Sequence, residues 1–207
     1  MSQSSFYREY GEAEELLPRD GSALLYRCPL DPRTAQRNFA ELLEAVPWEQ
    51  RSVQMFGKSV PQPRLVAWFG DGGSYTYSGL RLEPHPWTPL LAELRDLCQA
   101  LAAARFNSAL ANLYRDGNDA VSWHADNEPE LGEHPVIASM SFGAVRLFDF
   151  RHRESGETIR TELPDGSVLV MSGETQGAWM HQVPRTAKVS EPRINLTFRW
   201  VSKRGCS

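Results

Sequence analysis

The sequence predicts an α+β domain in which two amphipathic helices precede about eight short strands and buttress a sandwich or barrel. Three observations predict it. Apolar residues recur at helical spacing in two places only, each directly after a capping residue and proline, Asp31-Pro32 and Thr88-Pro89. From about residue 107 onward, short apolar and β-branched runs alternate with the turn signals Asp116-Gly117, Gly132, Ser155-Gly156, Asp165-Gly166 and Ser172-Gly173. Neither an internal repeat nor a low-complexity tract interrupts this order.

A chain of 207 residues is long enough for one domain with a substantial core and no covalent staples. Its 41% apolar and 23% charged residues are ordinary for a globular protein. No apolar run approaches the roughly 18 residues of a membrane span, so no membrane partner is expected. The opening Met1-Ser2-Gln3-Ser4-Ser5-Phe6 lacks the basic and apolar regions of a signal peptide, and the expectation is a cytoplasmic monomer. Cys28, Cys98 and Cys206 form neither a metal spacing nor a disulfide framework. A net charge of −4 and a pI of about 5.8 argue against bulk electrostatic attachment to nucleic acid, though a local basic groove remains compatible with them.

The elements follow in order. Residues 1–20 are acidic, with little apolar pattern, and read as a flexible arm; Leu24–Cys28 reads as a strand. Phe39, Leu42, Leu43 and Val46 share one helical face until Pro47, which predicts a helix over about 32–45. Between Trp48 and Gly79 aromatic residues are scattered among Pro61, Pro63, Asp71, Gly72 and Gly73. That punctuation implies turns between short strands, and the rings are either core packing or a recognition surface. Leu90, Leu94, Leu97, Cys98 and Leu101 predict a second helix from Pro89 to near Arg105. Strands are then expected at about 107–114, 120–124, 135–142, 145–150, 157–162, 167–171, 178–183 and 193–201. The chain divides into the arm, an extension over 21–106 with both helices and the aromatic hairpin, and a strand-rich unit over 107–207, within one compact domain.

His124 and Asp126 stand at i and i+2 on an extended segment, so their side chains point the same way and reach one cation. A third ligand must come from elsewhere, and His181 in Trp179-Met180-His181-Gln182 is the best candidate. Two histidines and a carboxylate make the facial triad that suits non-haem Fe(II) and leaves positions open for a co-substrate and dioxygen. An isolated His-x-Asp is common, so the C-terminal strand matters more. There Arg193, Asn195, Thr197 and Arg199 share one face while Ile194, Leu196 and Phe198 share the other. Two arginines flanking Asn and Thr, with no acid among them, are suited to clamping a dicarboxylate.

Asn112-x-Tyr114, His124-x-Asp126, His181 and the run Arg193 to Arg199 together resemble the AlkB family of Fe(II)- and 2-oxoglutarate-dependent dioxygenases, from about Val53 to Val201. The resemblance implies a double-stranded β-helix (jelly-roll) core with the helices packed outside. It implies that His124, Asp126 and His181 hold a catalytic Fe(II). Arg193 would pair the distal carboxylate of 2-oxoglutarate, with Asn112 and Tyr114 assisting, and Asn195, Thr197 and Arg199 would secure the rest of that pocket. A dianion buried beside a metal needs such partners, because an unpaired buried charge is prohibitive. Fe(II), 2-oxoglutarate and O2 would together hydroxylate an N-linked alkyl group on a nucleobase such as 1-methyladenine or 3-methylcytosine. The product would collapse to the repaired base and formaldehyde.

Within the family the chain is most similar to the branch acting on duplex DNA. Phe56-Gly57-Lys58, Arg64 and Tyr75-Thr76-Tyr77-Ser78-Gly79 match its base-probing hairpin and base-clamping lid. Phe56 would fill the stack when a base is extruded. Tyr77 and His124 would sandwich that base, Tyr75 would hydrogen-bond nearby, and Asn127 and Glu128 would face its polar edge. Lys58, Arg64, Arg185 and the cluster Arg151-His152-Arg153 would meet phosphates. After Val183-Pro184 that branch carries consecutive basic residues, whereas this chain has Arg185-Thr186-Ala187-Lys188. Fewer cations weaken the salt-dependent grip on a duplex and leave single-stranded DNA or RNA open. The alternatives are an oxygenase of the same chemistry acting on RNA, a protein side chain or a small metabolite, and a non-enzymatic nucleic-acid-binding module.

Overall fold

The computed structural model describes residues 11–55, 58–71, 75–77, 80–82 and 84–202. In chain order the elements are β1 (Ala13–Glu15), β2 (Ser22–Tyr26), α1 (Pro32–Ala45), β3 (Glu49–Met55), β4 (Lys58–Gly70), β5 (Tyr75–Tyr77), β6 (Leu80–Leu82), α2 (Pro89–Ala102), β7 (Ser108–Tyr114) and β8 (Val121–His124). A 3-10 turn at Pro129–Leu131 leads to β9 (Ile137–Gly143), β10 (Arg146–His152), β11 (Thr158–Leu163), β12 (Val168–Ser172), α3 (Thr175–Ala178), β13 (Trp179–Val183) and β14 (Arg193–Arg199).

The strands form an antiparallel eight-stranded sheet, ordered β1-β2-β12-β9-β14-β7-β4-β3, facing a four-stranded sheet ordered β11-β10-β13-β8. This is the expected jelly roll. Its residues sort by the two-residue period of a strand. Ile194, Leu196 and Phe198 of β14 point outward into a core roofed by Leu42 of α1 and by Leu91, Leu94, Cys98 and Leu101 of α2. On the inner face Leu25, Tyr114, Ile137, Leu169 and Met171 meet Phe148, Phe150, Trp179 and Val183 of the smaller sheet.

Local chemistry sets the helix ends. The Asp31 carboxylate accepts from the Arg33 and Thr34 amides, and the Thr88 hydroxyl accepts from the Leu91 amide, with a proline in each first turn. Helix α1 has the expected bounds. Helix α2 stops short of Arg105 because Ala103 turns left-handed at φ 48°.

Three expectations change. The arm over 1–20 is docked from residue 13 onward: β1 pairs with β2, Leu17 is buried, and the Glu15 carboxylate accepts from the Leu17 and Ala23 amides. Residues 1–10 lie outside the described residues. The second change is β4, which is one long strand rather than several short ones. Pro61 and Pro63 are tolerated because pairing with β7 begins only at Leu65, so the missing amides interrupt no ladder on that side. Third, β3 and β4 of the expected extension and β7 and β14 of the strand-rich unit share one sheet.

On the outside of the smaller sheet, Asp149 of β10 accepts from Arg160 Nε at 2.6 Å, Arg160 Nη2 at 3.0 Å and Gln182 Nε2 at 2.9 Å, cross-linking β10, β11 and β13. Burial pushes its carboxyl up, but the bonds from Arg160 and Gln182 outweigh that and hold it below the usual carboxylate range. A depressed folded value contributes stability above the unfolded pKa of about 3.9 that is lost as pH falls through the folded value. Asp149→Asn should therefore flatten the acid limb of a stability–pH curve below about pH 4. Leu91→Ala, at a fully buried position remote from the inner face, should lower the unfolding free energy by about 2–5 kcal/mol in denaturant titration while leaving metal binding intact.

Candidate active site

Strands β8 and β13 are neighbours, and their register sets His181 directly opposite His124. Asp126 follows just beyond the end of β8. One ligand atom from each of His124, Asp126 and His181 lies within 4.8 Å of the others, close enough to hold a single ion. The two imidazole rings are 4.3 Å apart between centroids, and His181 stacks on Phe148 at 5.4 Å. His124 Nδ1 contacts the Ser122 carbonyl at 2.8 Å. A carbonyl only accepts, so Nδ1 carries the proton and Nε2 keeps its lone pair for a metal. His181 is held neutral: burial and the neighbouring His124 lower its pKa to about 3 against the pull of Asp126. The neutral imidazole is the ligating form.

Asp126 is buried, which pushes its carboxyl up, but the charge and hydrogen bond of the Arg199 guanidinium outweigh burial and bring it down to about 2. Arg199 Nη2 stands 2.8 Å from Asp126 Oδ2. The Asp126 amide donates to Gln176 Oε1 at 2.9 Å, so one residue of the short helix before His181 anchors the backbone of another ligand.

The triad opens into a cleft lined by Arg64, Asn112, Tyr114, Arg193, Asn195, Thr197 and Arg199, with Leu110, Phe148 and Met171 as apolar wall. Arg193 is 1% exposed. Its Nη2 donates to Ser141 Oγ at 2.9 Å and its guanidinium carbon lies 5.1 Å from the Tyr114 ring centre. Its Nε and Nη1 are buried and have no hydrogen-bond partner among the described residues. Burial and the nearby Arg146 lower its pKa to about 10, partly offset by Tyr114, so it remains a cation at neutral pH. Asn195 donates to Ser139 Oγ at 2.8 Å and Thr197 to Asn195 Oδ1 at 3.0 Å.

A family model of the 2OG-Fe(II) oxygenase superfamily matches residues 22–199. DNA oxidative demethylase ALKBH2 of Mus musculus is 40% identical over 195 residues, covering 88% of this chain and 82% of that protein. The chain belongs to the AlkB family of 2OG-Fe(II) oxygenases. Alpha-ketoglutarate-dependent dioxygenase alkB homolog 3 of Homo sapiens is 42% identical over 187 residues, which is 86% of this chain but 65% of that one. The chain thus spans a little under two thirds of the length of the alkB homolog 3 proteins it matches. The solved structure of OsALKBH1 shares the fold, with a TM-score of 0.62 at 16% identity over 90% of this chain and all of that one.

The AlkB-family assignment brings Fe(II), 2-oxoglutarate and O2 with it, and the residues present fit them. Two histidines and a carboxylate converge on one point, and a buried arginine with free N–H groups stands across the cleft where a dianion needs a partner. All nine residues expected to hold metal or 2-oxoglutarate line this cleft.

The outer residues fare differently. Phe56 and Gly57 lie outside the described residues. Lys58 falls on β4, and Tyr75 and Tyr77 on β5, as backbone only. Asn127 is exposed, while Glu128 is half-buried with Oε2 shielded and unpartnered among the described residues; burial and Asp126 push its carboxyl up. Arg64 does not meet phosphates: it is buried in the cleft, where its Nε donates to Asn112 Oδ1 at 2.8 Å. His152 is no phosphate contact either. It is buried, taking the Ser155 amide on Nδ1 at 3.1 Å and pairing Asp20 through Nε2 at 3.2 Å, while Arg151 stacks on Trp123. Arg199 lines the cleft as expected, but its paired atom holds Asp126.

Ser139 and Ser141 were discoverable from their alternation with Met140 and Phe142. Gln176 carried no such signal, since its partner is 50 residues away. Gln176→Ala should weaken Mn(II) binding on the order of 10-fold in an EPR titration, with Asp126→Ala abolishing it as the reference.

Proposed function

We propose that this protein oxidatively dealkylates N-alkylated nucleobases in DNA, of the 1-methyladenine and 3-methylcytosine type, reversing the lesion directly and releasing formaldehyde. The observation that carries the reading is the similarity to a protein named a DNA oxidative demethylase across 82% of that protein's length, joined to an intact triad and cleft. When bound, Fe(II), 2-oxoglutarate and O2 supply the oxidation that hydroxylates the N-linked carbon. The resulting N–CH2–OH collapses without further help, because its C–N bond breaks to give the base and formaldehyde.

The chain's own residues bind and aim. Arg193 pairs the distal carboxylate of 2-oxoglutarate through its free N–H groups, on a floor made by Asn112, Tyr114, Asn195 and Thr197. Arg199 and Gln176 keep the Asp126 carboxylate turned toward His124 and His181. Glu128 faces the substrate side: a half-buried carboxylate with a free oxygen favours a cationic base, and both lesions are cationic near neutral pH. On the resemblance to the family, Phe56 fills the gap left by the extruded base and Tyr77 stacks on it, worth about 1–3 kcal/mol for such a stack. Beyond β13 the loop before β14 offers two exposed cations, Arg185 and Lys188, against the exposed anion Glu191, so single-stranded DNA, and RNA with it, is the better substrate than duplex.

The test is mass spectrometry of short oligonucleotides carrying either lesion, as single-stranded DNA, duplex DNA and RNA, after incubation with Fe(II), 2-oxoglutarate and oxygen. The expected result is loss of one CH2 per lesion, dependent on 2-oxoglutarate, absent in Asp126→Ala, and fastest on single strands. Consumption of 2-oxoglutarate with every oligonucleotide unchanged would overturn the substrate and point to a protein side chain or a small metabolite.

A further inference from the structure

Arg146 holds no metal and lies outside the cleft lining, yet it is among the largest fully buried side chains, at 1% exposure. Its Nη1 donates to the Asp116 carbonyl at 3.1 Å, and its Nη2 to the Asp119 carbonyl at 2.9 Å and the Pro184 carbonyl at 2.8 Å. The first two acceptors stand on the loop that enters β8, the strand of His124, and the third on the loop that leaves β13, the strand of His181. The ladder between those strands consists of His181 opposite His124 and Val183 opposite Val121, with a register shift between. The same two loops are stitched again where the Gly117 amide donates to Val189 and the Thr186 amide to Gly117. A Cβ on Gly117 would come within 1.9 Å of the Thr186 carbonyl, so the loops meet backbone to backbone.

The charge of Arg146 is as informative as its bonds. Its hydrogen-bond acceptors are all carbonyls, and the nearest carboxylate partner, Asp119, is engaged by Arg115 at 2.7 and 2.8 Å. Its guanidinium carbon lies 5.6 Å from the Tyr114 ring centre, and that of Arg193 lies 5.1 Å from the same ring. One tyrosine of the cleft is thus flanked by two buried guanidiniums, neither in a salt bridge among the described residues, while the Asp119 and Asp116 charges act on Arg146 at longer range. Buried like charges repel, and such an arrangement is tolerable where a dianion is the ligand.

We infer that Arg146 is a positioning residue for 2-oxoglutarate: acting through Tyr114 and Arg193, it sets the geometry and the positive charge that receive the distal carboxylate. The inference rests on the reading that Arg193 takes that carboxylate. It assigns Arg146 no contact with the ligand and no part in holding the metal. Lysine keeps the charge but cannot serve three carbonyls from one planar fork; methionine keeps the length and loses both.

The test is titration of the Mn(II)-loaded full chain with 2-oxoglutarate and, separately, with 2-oxobutanoate, which keeps the oxoacid and lacks the distal carboxylate. Tryptophan fluorescence reads binding, so turnover is not needed. Arg146→Met should raise the 2-oxoglutarate Kd on the order of 10-fold while the Kd values for 2-oxobutanoate and Mn(II) stay within about twofold. Arg146→Lys should fall between wild type and Arg146→Met for 2-oxoglutarate, and it carries the test alone if the methionine variant does not fold. Equal weakening of both oxoacids, or an unchanged 2-oxoglutarate Kd, would reduce Arg146 to a fold-stabilising residue and overturn the inference. Wild-type protein that binds Mn(II) but no 2-oxoglutarate would remove the cofactor reading itself, and this inference with it.

Discussion

The ion pair between Arg199 and Asp126 is the constraint on which the site depends. Both side chains are buried, and a carboxylate in that setting must be compensated or it takes up a proton and ceases to be a metal ligand. Arg199 supplies the charge from the last residue of β14, the central strand between β9 and β7. Removing one member of a buried pair costs about 3–5 kcal/mol, because the other is left uncompensated. The strand that lines the cleft with Arg193, Asn195 and Thr197 thus also keeps the Asp126 carboxylate ionised, and the two halves of the site cannot be rearranged independently.

The jelly roll makes this possible through the two faces of its larger sheet. Outward-facing Ile194, Leu196 and Phe198 fasten β14 under the helices, so inward-facing Arg193, Asn195, Thr197 and Arg199 are held at fixed spacing. The smaller sheet contributes the two histidines from adjacent strands and covers His181 with Phe148 and Phe150. Apolar cover keeps His181 neutral, and the same cover raises the strength of every charge interaction within the cleft. Packing and electrostatics here are one arrangement: the rings that fill the inter-sheet core also set the ionisation states a metal requires.

The charges across the cleft point the same way. Arg64, Arg193 and Arg199 face it against the Asp126 carboxylate, with Arg146 behind Tyr114. An excess of buried cations is unstable in isolation and becomes favourable beside an anionic co-substrate. The co-substrate of the 2OG-Fe(II) oxygenases, 2-oxoglutarate, is such an anion.

Much of this was legible in the residues themselves. The bounds of α1 follow from Asp31, Pro32 and Pro47, because capping and proline geometry are local. The two faces of β14, and the shared direction of His124 and Asp126, follow from the two-residue period of a strand, which needs no knowledge of neighbours. What the tertiary structure alone decided is who meets whom across the sheets. Arg199 turned to Asp126, Arg64 to Asn112 rather than to phosphate, His152 to Asp20, and β1 to the edge of β2, each across a separation that no local pattern encodes. Periodicity fixes the side on which a residue points; the partner it finds there depends on strand order and register, which belong to the assembled fold.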